Sequence, residues 1–231
     1  MTPFQLFALL LTAIWLLLVV ALFRRSTVVL VTGLCVIAGV ALASLAFGKV
    51  TLAELGLGIP ISWLSTLGFA LVGLVLLLAY SPLADRLASN RFHQPPTLGA
   101  FRGIQRSWVS LLAGILVAWL LGGVLEELIA RGIVLTSIES WLSPWTSAPV
   151  GAGVAVILAA FGAGLMHIYQ GPRAAVIIAQ LSVLFGILFV VSGNNLWIVI
   201  ICHGLYDTIA FVRFATKRSK YSDLERREAG Q

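Results

Sequence analysis

Residues 109–135 of the chain read VSLLAGILVAWLLGGVLEELIARGIVL, an apolar run interrupted only near its end by charged residues. About 20 predominantly apolar residues suffice for a helix to cross the hydrocarbon core of a bilayer, and this run is longer than that. The segment therefore predicts a transmembrane helix that carries ionisable side chains within the membrane.

The composition of the whole chain supports the same environment. Sixty per cent of the 231 residues are hydrophobic and 10% are charged, against about 25% charged residues in a soluble domain. The net charge of +6 does not indicate nucleic acid, because no basic stripe with interleaved aromatic residues is present. Cys35 and Cys202 lie in apolar segments without metal-type spacing, which argues against a disulfide or a cysteine-based site.

Apolar runs of about 17 residues or more predict the remaining spans. We expect an all-α integral membrane protein, a single bundle of about seven transmembrane helices. Residues 1–107 would form N-terminal helices and a polar cytoplasmic loop at 81–107, residues 108–215 a core that carries the motifs below, and residues 216–231 a polar tail. The predicted spans are 4–23, 28–47, 62–80, 109–135, 150–167, 174–192 and 195–213.

The distribution of positive charge predicts the orientation of these spans. We assign the loops to alternate sides of the membrane. One side then holds a single basic residue of a loop, Lys49, and the other side holds all the remaining ones. Cytoplasmic loops of membrane proteins carry an excess of Lys and Arg. We therefore expect the N-terminus outside and the C-terminus in the cytoplasm, in a bacterial plasma membrane. The basic side holds Arg24, Arg25, Arg86, Arg91, Arg102, Arg106, Arg173, Arg213, Lys217, Arg218, Lys220, Arg226 and Arg227.

Ionisable residues occur in three of the seven predicted spans. A charge at the centre of a membrane helix costs about 2.5–3.5 kcal/mol on insertion scales, so clustering in a few helices favours a function. Four spans carry none. The clustered residues are Glu126, Glu127 and Arg131 in the fourth span, His167 in the fifth, and His203 and Asp207 in the seventh.

Helical spacing separates the roles of the two glutamates. Glu127 and Arg131 are four residues apart and share a helix face, where they can form an ion pair. Glu126 lies about 100° away from Glu127 around the helix, which leaves it free of that arginine. A carboxylate without a firm partner in a low dielectric can accept and donate a proton. Gly122 and Gly123, one turn earlier, would let a neighbouring helix or a substrate approach closely.

The histidines extend this cluster. His203 and Asp207 are also four apart, a spacing that suits an aspartate orienting a histidine or two ligands of one metal. With His167 and a glutamate they could activate water for amide hydrolysis, directly or through a metal. Each feature also has a structural interpretation: a helix-locking salt bridge for Glu127–Arg131, an interfacial position for His167 and a hydrogen-bonded clamp for His203–Asp207.

Three motifs in order resemble the CPBP family of intramembrane proteases, which includes the type II CAAX prenyl endopeptidases and bacterial bacteriocin-processing or immunity proteins. Glu126-Glu127-Leu-Ile-Ala-Arg131 is similar to the EExxxR motif, and Met166-His167-Ile-Tyr-Gln-Gly-Pro172 approaches the FxxxH motif and the stretch after its histidine. His203-Gly-Leu-Tyr-Asp207 resembles a motif of His followed four residues later by Asn or Asp. The resemblance covers about residues 50–215.

The resemblance implies an endopeptidase whose active site lies in the membrane. By motif position, Glu126 is similar to the glutamate that activates water, and Glu127 and Arg131 would support it. The family is described both as dependent on a divalent metal such as zinc and as glutamate-dependent without one; His167 and His203 would be the ligands of a bound metal. The residues that would bind the water, the oxyanion or a metal are His167, His203 and Asp207.

Two features complicate this resemblance. The position four before His167 is Ala163 instead of Phe, and the nearest phenylalanine is Phe161. In addition, the predicted spans place Glu126 and His203 at similar depths but His167 near the inner end of its helix. We nevertheless expect the three motifs to meet in one cavity.

Three functions compete on the sequence alone. The first is an endopeptidase that cleaves a membrane-anchored peptide or protein, with the lipid bilayer as its other partner and no nucleic acid. The second is a non-catalytic family member with an immunity or scaffold role, in which the polar cluster is structural. The third is a transporter or proton relay, since charges at membrane depth also mark ion pathways; the chain shows no inverted repeat that would support it.

Overall fold

The computed structural model of the chain describes residues 3–22, a few positions between 39 and 48, and residues 50–229. Side chains are described at 4–15, at those few positions and at 50–216 except residue 100. Every regular element in these ranges is helical, as predicted. The long helices are α1 (Pro3–Leu22), α2 (Trp63–Ser89), α3 (Trp108–Leu142), α4 (Ala148–Met166), α5 (Pro172–Val191) and α6 (Leu196–Ala229), with short 3₁₀ segments at Gly99–Gln105 and Ile168–Gln170.

Five helices of the described part of the chain are long and apolar enough to cross a membrane: α2 to α5 and the Leu196–Thr216 part of α6. The count of about seven spans is not confirmed. The predicted span 4–23 corresponds to α1, whose described apolar part, Phe4–Trp15, is shorter than a span. The predicted span 28–47 lies largely outside the described residues.

Helix α2 is longer than predicted, and the polar loop is correspondingly shorter. The prediction began the loop at residue 81, but the helix continues to Ser89 through Pro82. Buried Ala84 and Ala88 continue the apolar face while Asp85 lies on another, so polar residues in sequence do not end the helix. Asp85 is therefore a helical residue, and it binds Arg173 of α5 through both carboxylate oxygens, with distances of 2.7–2.9 Å.

Helix α3 also extends beyond its predicted span, from 109–135 to Trp108–Leu142. Its N-cap is Ser107, whose Oγ accepts a hydrogen bond from the Ser110 N–H at 3.1 Å. Its polar end remains helical, and the hydroxyl groups there are satisfied by the helix itself: Thr136 Oγ1 donates to the Gly132 carbonyl at 2.7 Å. Within it, Trp119–Glu126 and Leu128–Leu135 are wound as π-helix, a feature frequent at functional sites.

The extension of α3 explains why motifs at different predicted depths can meet. The first residue of α6, Leu196, lies beside Gly132, where a Cβ on the glycine would be 3.4 Å from the leucine side chain. The Leu196 N–H also donates to the Gly56 carbonyl at 2.8 Å, so the segment before α2 covers the start of α6. Ten residues of α3, about 15 Å, continue past this level. The first residue of α6 therefore lies about 15 Å from the end of α3, measured along the α3 axis.

Glycines bring α3 and α6 into backbone contact. A Cβ on Gly123 of α3 would lie 3.3 Å from the Ile200 carbonyl oxygen of α6. A Cβ on Gly204 of α6 would overlap the Trp119 ring of α3, whose Nε1 donates to Thr208 Oγ1 at 3.0 Å. Small residues allow such close approach between membrane helices. The predicted role of the glycines at 122 and 123 is therefore observed for Gly123 at this interface.

Gly204→Ala should destabilise the bundle, because its methyl group must displace the Trp119 ring. Overpacking of a well-packed core costs about 1–3 kcal/mol. The measurement is the free energy of unfolding of the purified protein in mixed detergent micelles. Gly153→Ala in α4, where an added Cβ meets nothing within 4 Å, is the control and should be neutral or slightly stabilising. Equal stability of the two variants would contradict the close α3–α6 contact.

Candidate active site

Glu127 forms the centre of the polar cluster. Its side chain is fully buried, and its Oε1 accepts hydrogen bonds from Arg131 Nη1 at 3.0 Å and from His203 Nδ1 at 2.7 Å. The predicted Glu127–Arg131 ion pair is confirmed. Because a carboxylate only accepts, the hydrogen of the His203 ring lies on Nδ1. One carboxylate oxygen therefore joins α3 to α6 and sets the orientation of His203.

The aspartate of the third motif lies near this histidine, as the spacing suggested, but it faces the other ring nitrogen. Asp207 Oδ2 lies 3.5 Å from His203 Nε2, the ring nitrogen that points away from Glu127. Space for the two side chains comes from Gly122, where a Cβ would stand 2.9 Å from Asp207 Oδ2 and 3.4 Å from His203 Nε2. Glu127, on another helix, is nevertheless a closer and more buried acceptor for His203 than Asp207, four positions along the same helix.

Helix α5, which carries no predicted site residue, completes the environment of Arg131. Arg131 Nη2 donates to the Ser182 carbonyl at 2.9 Å and to Ser182 Oγ at 2.6 Å. The Phe185 ring lies 5.3 Å from Arg131 Cζ, and its centroid is 4.9 Å from that of His203. Ser182 interrupts a strongly apolar run, which is the one sequence signal that could have indicated a buried partner.

His167 is held by a backbone carbonyl. Its Nδ1 donates to the Ala163 carbonyl oxygen at 2.9 Å, since a carbonyl only accepts. Its Nε2 faces Glu126 Oε1 at 3.9 Å. The residue type at 163 therefore does not decide the ring orientation. Phe161 does not replace the missing motif phenylalanine, because its side chain is 60% exposed on the outside of the bundle.

Glu126 is less constrained than Glu127. Its side chain is 29% exposed, and its described ion-pair contact is the one with His167. The guanidinium of Arg131 pairs with Glu127, as the helical spacing predicted. Glu126 also lies at the end of the first π-helical stretch of α3. The two adjacent glutamates thus differ: Glu127 is used in a buried ion pair, whereas Glu126 is accessible from the cavity.

A cavity of about 920 Å³ connects these residues. Glu126, His167, His203 and Asp207 line it, and so does part of Arg131. The convergence expected from the sequence is therefore observed for the three motifs, in spite of their different predicted depths. Five of the six predicted site residues line the cavity, and Glu127 lies behind its wall.

The cavity is long and mostly apolar. It follows one face of α3 from Ser110 to Glu126, about 24 Å at the α-helical rise. Small residues such as Ala113, Gly114 and Ala118 keep this face open. Opposite walls come from α5 and α6, and the segment that precedes α3 covers one end with Leu98, Phe101 and Ile104.

Tyr169 is a cavity residue that its sequence context did not indicate. Its ring stacks on His167 with a centroid distance of 6.0 Å, and its hydroxyl accepts a hydrogen bond from Gln170 Nε2 at 2.8 Å. Burial raises the pKa of the Tyr169 phenol above its ordinary value; the bond from Gln170 opposes this, and the Glu126 carboxylate adds to it. The hydroxyl therefore keeps its proton at neutral pH.

The described residues do not form a ready metal site. They contain no group of three or more His, Cys, Asp or Glu side chains placed to hold a metal ion. His167 and His203 each have one ring nitrogen outside the hydrogen bonds above, but Nε2 of His203 already faces Asp207. The donor set in this arrangement does not fit the zinc ion that the resemblance allows.

The fold and the site define a multi-pass membrane protein whose helices enclose a polar catalytic-type cluster in an apolar cavity. Residues 108–209 match the family model Type II CAAX prenyl endopeptidase Rce1-like. The matched range starts at α3 and ends just after Asp207, so it contains all three motifs; the predicted resemblance is confirmed. The family implies a protease. Neither curated proteins nor solved structures match the chain.

A double-mutant cycle should show strong coupling between Glu127 and Arg131. Removing one partner of a buried ion pair leaves an uncompensated charge and costs about 3–5 kcal/mol. Glu127→Gln and Arg131→Met should each destabilise by that amount, and the double variant by about 2–3 kcal/mol less than their sum. The measurement is again the free energy of unfolding in mixed micelles.

The partly exposed pair Asp85–Arg173 provides the control cycle. Half of the Asp85 side chain is accessible, and solvent-exposed pairs contribute about 0.2–1 kcal/mol. Asp85→Asn combined with Arg173→Gln should therefore show weak coupling. Additive effects in the Glu127–Arg131 cycle, or equal coupling in the two cycles, would contradict the central role of Glu127.

Proposed function

We propose that this protein is an intramembrane endopeptidase that hydrolyses a peptide bond in a membrane-anchored peptide or protein through water activated by Glu126. The observation that carries the proposal is the arrangement at one end of the cavity. There an accessible carboxylate, Glu126, faces an imidazole nitrogen of His167 at 3.9 Å, while the other nitrogen of that ring is held by the backbone.

The hydrogen-bond pattern prepares the site for a water molecule. In neutral rings with hydrogen on Nδ1, Nε2 of His167 is an acceptor. A water between Glu126 and His167 can donate one hydrogen to each, which directs a lone pair toward the cavity. A substrate carbonyl placed there would receive the attack. Glu126 takes the proton that the attacking water loses and then returns it to the departing amine nitrogen as the C–N bond breaks.

Glu127 and Arg131 act in this proposal as positioning residues. Their pairing lowers the cost of charge inside the membrane and keeps Arg131 away from Glu126. If Arg131 instead neutralised Glu126, that carboxylate would become a weaker base. The bond from His203 to Glu127 keeps the second imidazole on the cavity wall.

The cavity suits an extended, mostly apolar substrate. Apolar walls replace lipid contacts for the anchored part of a peptide, and the small residues of α3 leave room for its backbone. The cavity reaches Arg106, which the proposed orientation puts on the basic side of the membrane. With the proposed orientation, N-terminus outside and C-terminus in the cytoplasm of a bacterial cell, substrates would enter from the cytoplasmic side.

No step of this mechanism runs through a metal ion. We propose that Glu126 suffices as the general base. Metal analysis of purified, active protein tests this point directly, and one tightly bound zinc per chain that is needed for activity would contradict it.

Glu126→Gln should lower kcat/KM by at least about 10²-fold, because the amide cannot accept the proton of the water and general-base catalysis typically contributes 10²–10⁴-fold. The assay uses proteoliposomes that contain the protein and a panel of acyl-anchored and helix-anchored reporter peptides. Mass spectrometry of the products gives the cleavage site and rate.

The control variant is Glu139→Gln, which removes a carboxylate from the same helix outside the cavity. It should cleave like the wild type. Cleavage by Glu126→Gln at the wild-type rate would overturn the mechanism. A well-folded wild-type protein that cleaves no peptide of the panel would favour the immunity or scaffold role, and proton flux abolished by Glu126→Gln would favour the relay.

A further inference from the structure

Amide hydrolysis needs a hydrogen-bond donor as well as a base. When water attacks the carbonyl carbon, negative charge develops on the carbonyl oxygen. A preorganised donor at that position is often the largest single contribution to catalysis, and its removal costs about 10²–10³-fold in kcat. The proposed function therefore requires such a group on the cavity wall near Glu126.

Most polar side chains at this end of the cavity are unsuited to that task. The carboxylates of Glu126 and Asp207 accept hydrogen bonds. Nε2 of His167 is an acceptor in the neutral ring, and a proton on Nε2 of His203 would face Asp207 at 3.5 Å. The two terminal nitrogens of Arg131 donate to Glu127 and Ser182. The N–H groups of Arg131 left over from its three bonds belong to a side chain that is only 4% exposed. The carboxylates and imidazoles can hold a water molecule, but in this arrangement none of them presents an uncommitted N–H or O–H.

Tyr169 presents one. Its hydroxyl oxygen accepts from Gln170 Nε2, a group that can only donate, so this bond leaves the phenol hydrogen available. The ring lies against His167, whose Nε2 faces Glu126 Oε1 at 3.9 Å. Tyr169 lines the same cavity as both.

Tyr206 is the other tyrosine that lines the cavity, and its phenol hydrogen has a possible partner. Its hydroxyl lies 2.9 Å from Ser81 Oγ, and either oxygen can be the donor in that bond. The phenol hydrogen of Tyr206 can therefore be used within the α2–α6 contact.

Neighbouring residues also fix the position of Tyr169. It lies in the 3₁₀ turn Ile168–Gln170, which ends at Gly171 with a φ of 104°, a conformation that favours glycine. Gln170 is buried, and its carbonyl accepts from the Thr97 N–H at 2.8 Å. The partner that orients the phenol is thus tied to the segment that covers the cavity.

We propose that Tyr169 is a further catalytic residue, whose hydroxyl donates a hydrogen bond to the oxyanion that forms during peptide hydrolysis. This inference rests on the proposed endopeptidase function. The water oxygen bonds to the carbonyl carbon, and the π-electron pair of the carbonyl moves to its oxygen, where the Tyr169 O–H stabilises it. The proton of the water goes to Glu126 and then to the leaving nitrogen, while Tyr169 keeps its own proton throughout.

The test is Tyr169→Phe, assayed on a reporter peptide that the wild-type protein cleaves. Loss of the donor should lower kcat on the order of 10²-fold with KM nearly unchanged, because the bond forms only as charge develops. The same variant should bind a phosphinate analogue of that peptide more weakly by a similar factor, since the tetrahedral anion resembles the transition state.

The matched control is Tyr80→Phe, which removes a phenol whose hydroxyl donates to Gln180 at 3.0 Å outside the cavity. It should leave kcat and phosphinate binding as in the wild type. A kcat for Tyr169→Phe within twofold of the wild type would overturn the assignment of Tyr169 while leaving the endopeptidase function intact. A lower kcat with unchanged phosphinate binding would also overturn it. Failure of the proposed function itself is recognised separately, by a wild-type protein that cleaves no peptide.

Discussion

The structure depends on one fully buried carboxylate, that of Glu127. Isolated in a membrane bundle, such a charge would be strongly unfavourable. Two donors from different helical positions, Arg131 and His203, meet the same oxygen atom, and Arg131 in turn binds the backbone and hydroxyl of Ser182. Helices α3, α5 and α6 are thereby joined at one point. Oε2 of Glu127 is buried without a hydrogen-bond partner among the described residues, so the network holds this carboxylate through Oε1 alone.

This network assigns different tasks to similar residues. Glu127 is used for structure, so its neighbour Glu126 remains exposed to the cavity. The two histidines are each held at Nδ1, one by Glu127 and one by the Ala163 carbonyl, so that Nε2 points to the cavity side. The use of a main-chain carbonyl at 163 explains how the second motif can tolerate alanine in place of phenylalanine without loss of the His167 orientation.

Much of the site was predictable from spacing, and much of the fold from hydropathy. The i, i+4 relation of Glu127 and Arg131 is a property of a single helix, and it was confirmed. Contacts between helices were harder to predict from the sequence. The bond between His203 and Glu127, and the contact of Ser182 with Arg131, depend on how α3, α5 and α6 pack. Helix ends were misplaced where polar residues such as Asp85 and Thr136 remain helical through their own partners. Depth could not be counted from span boundaries because α3 projects about 15 Å beyond the start of α6.

The central claim is that Glu126 faces water inside the membrane, and thiol labelling tests it without knowledge of the substrate. In a Cys35→Ser, Cys202→Ala background, Glu126→Cys should react with a small, membrane-impermeant methanethiosulfonate, because thiolates form in contact with water. Leu120→Cys, on the lipid-facing side of α3 where Leu120 is 56% exposed, should remain unmodified. Protection of the cysteine at 126, or equal labelling at both positions, would contradict a water-accessible cavity and the hydrolytic site built around it.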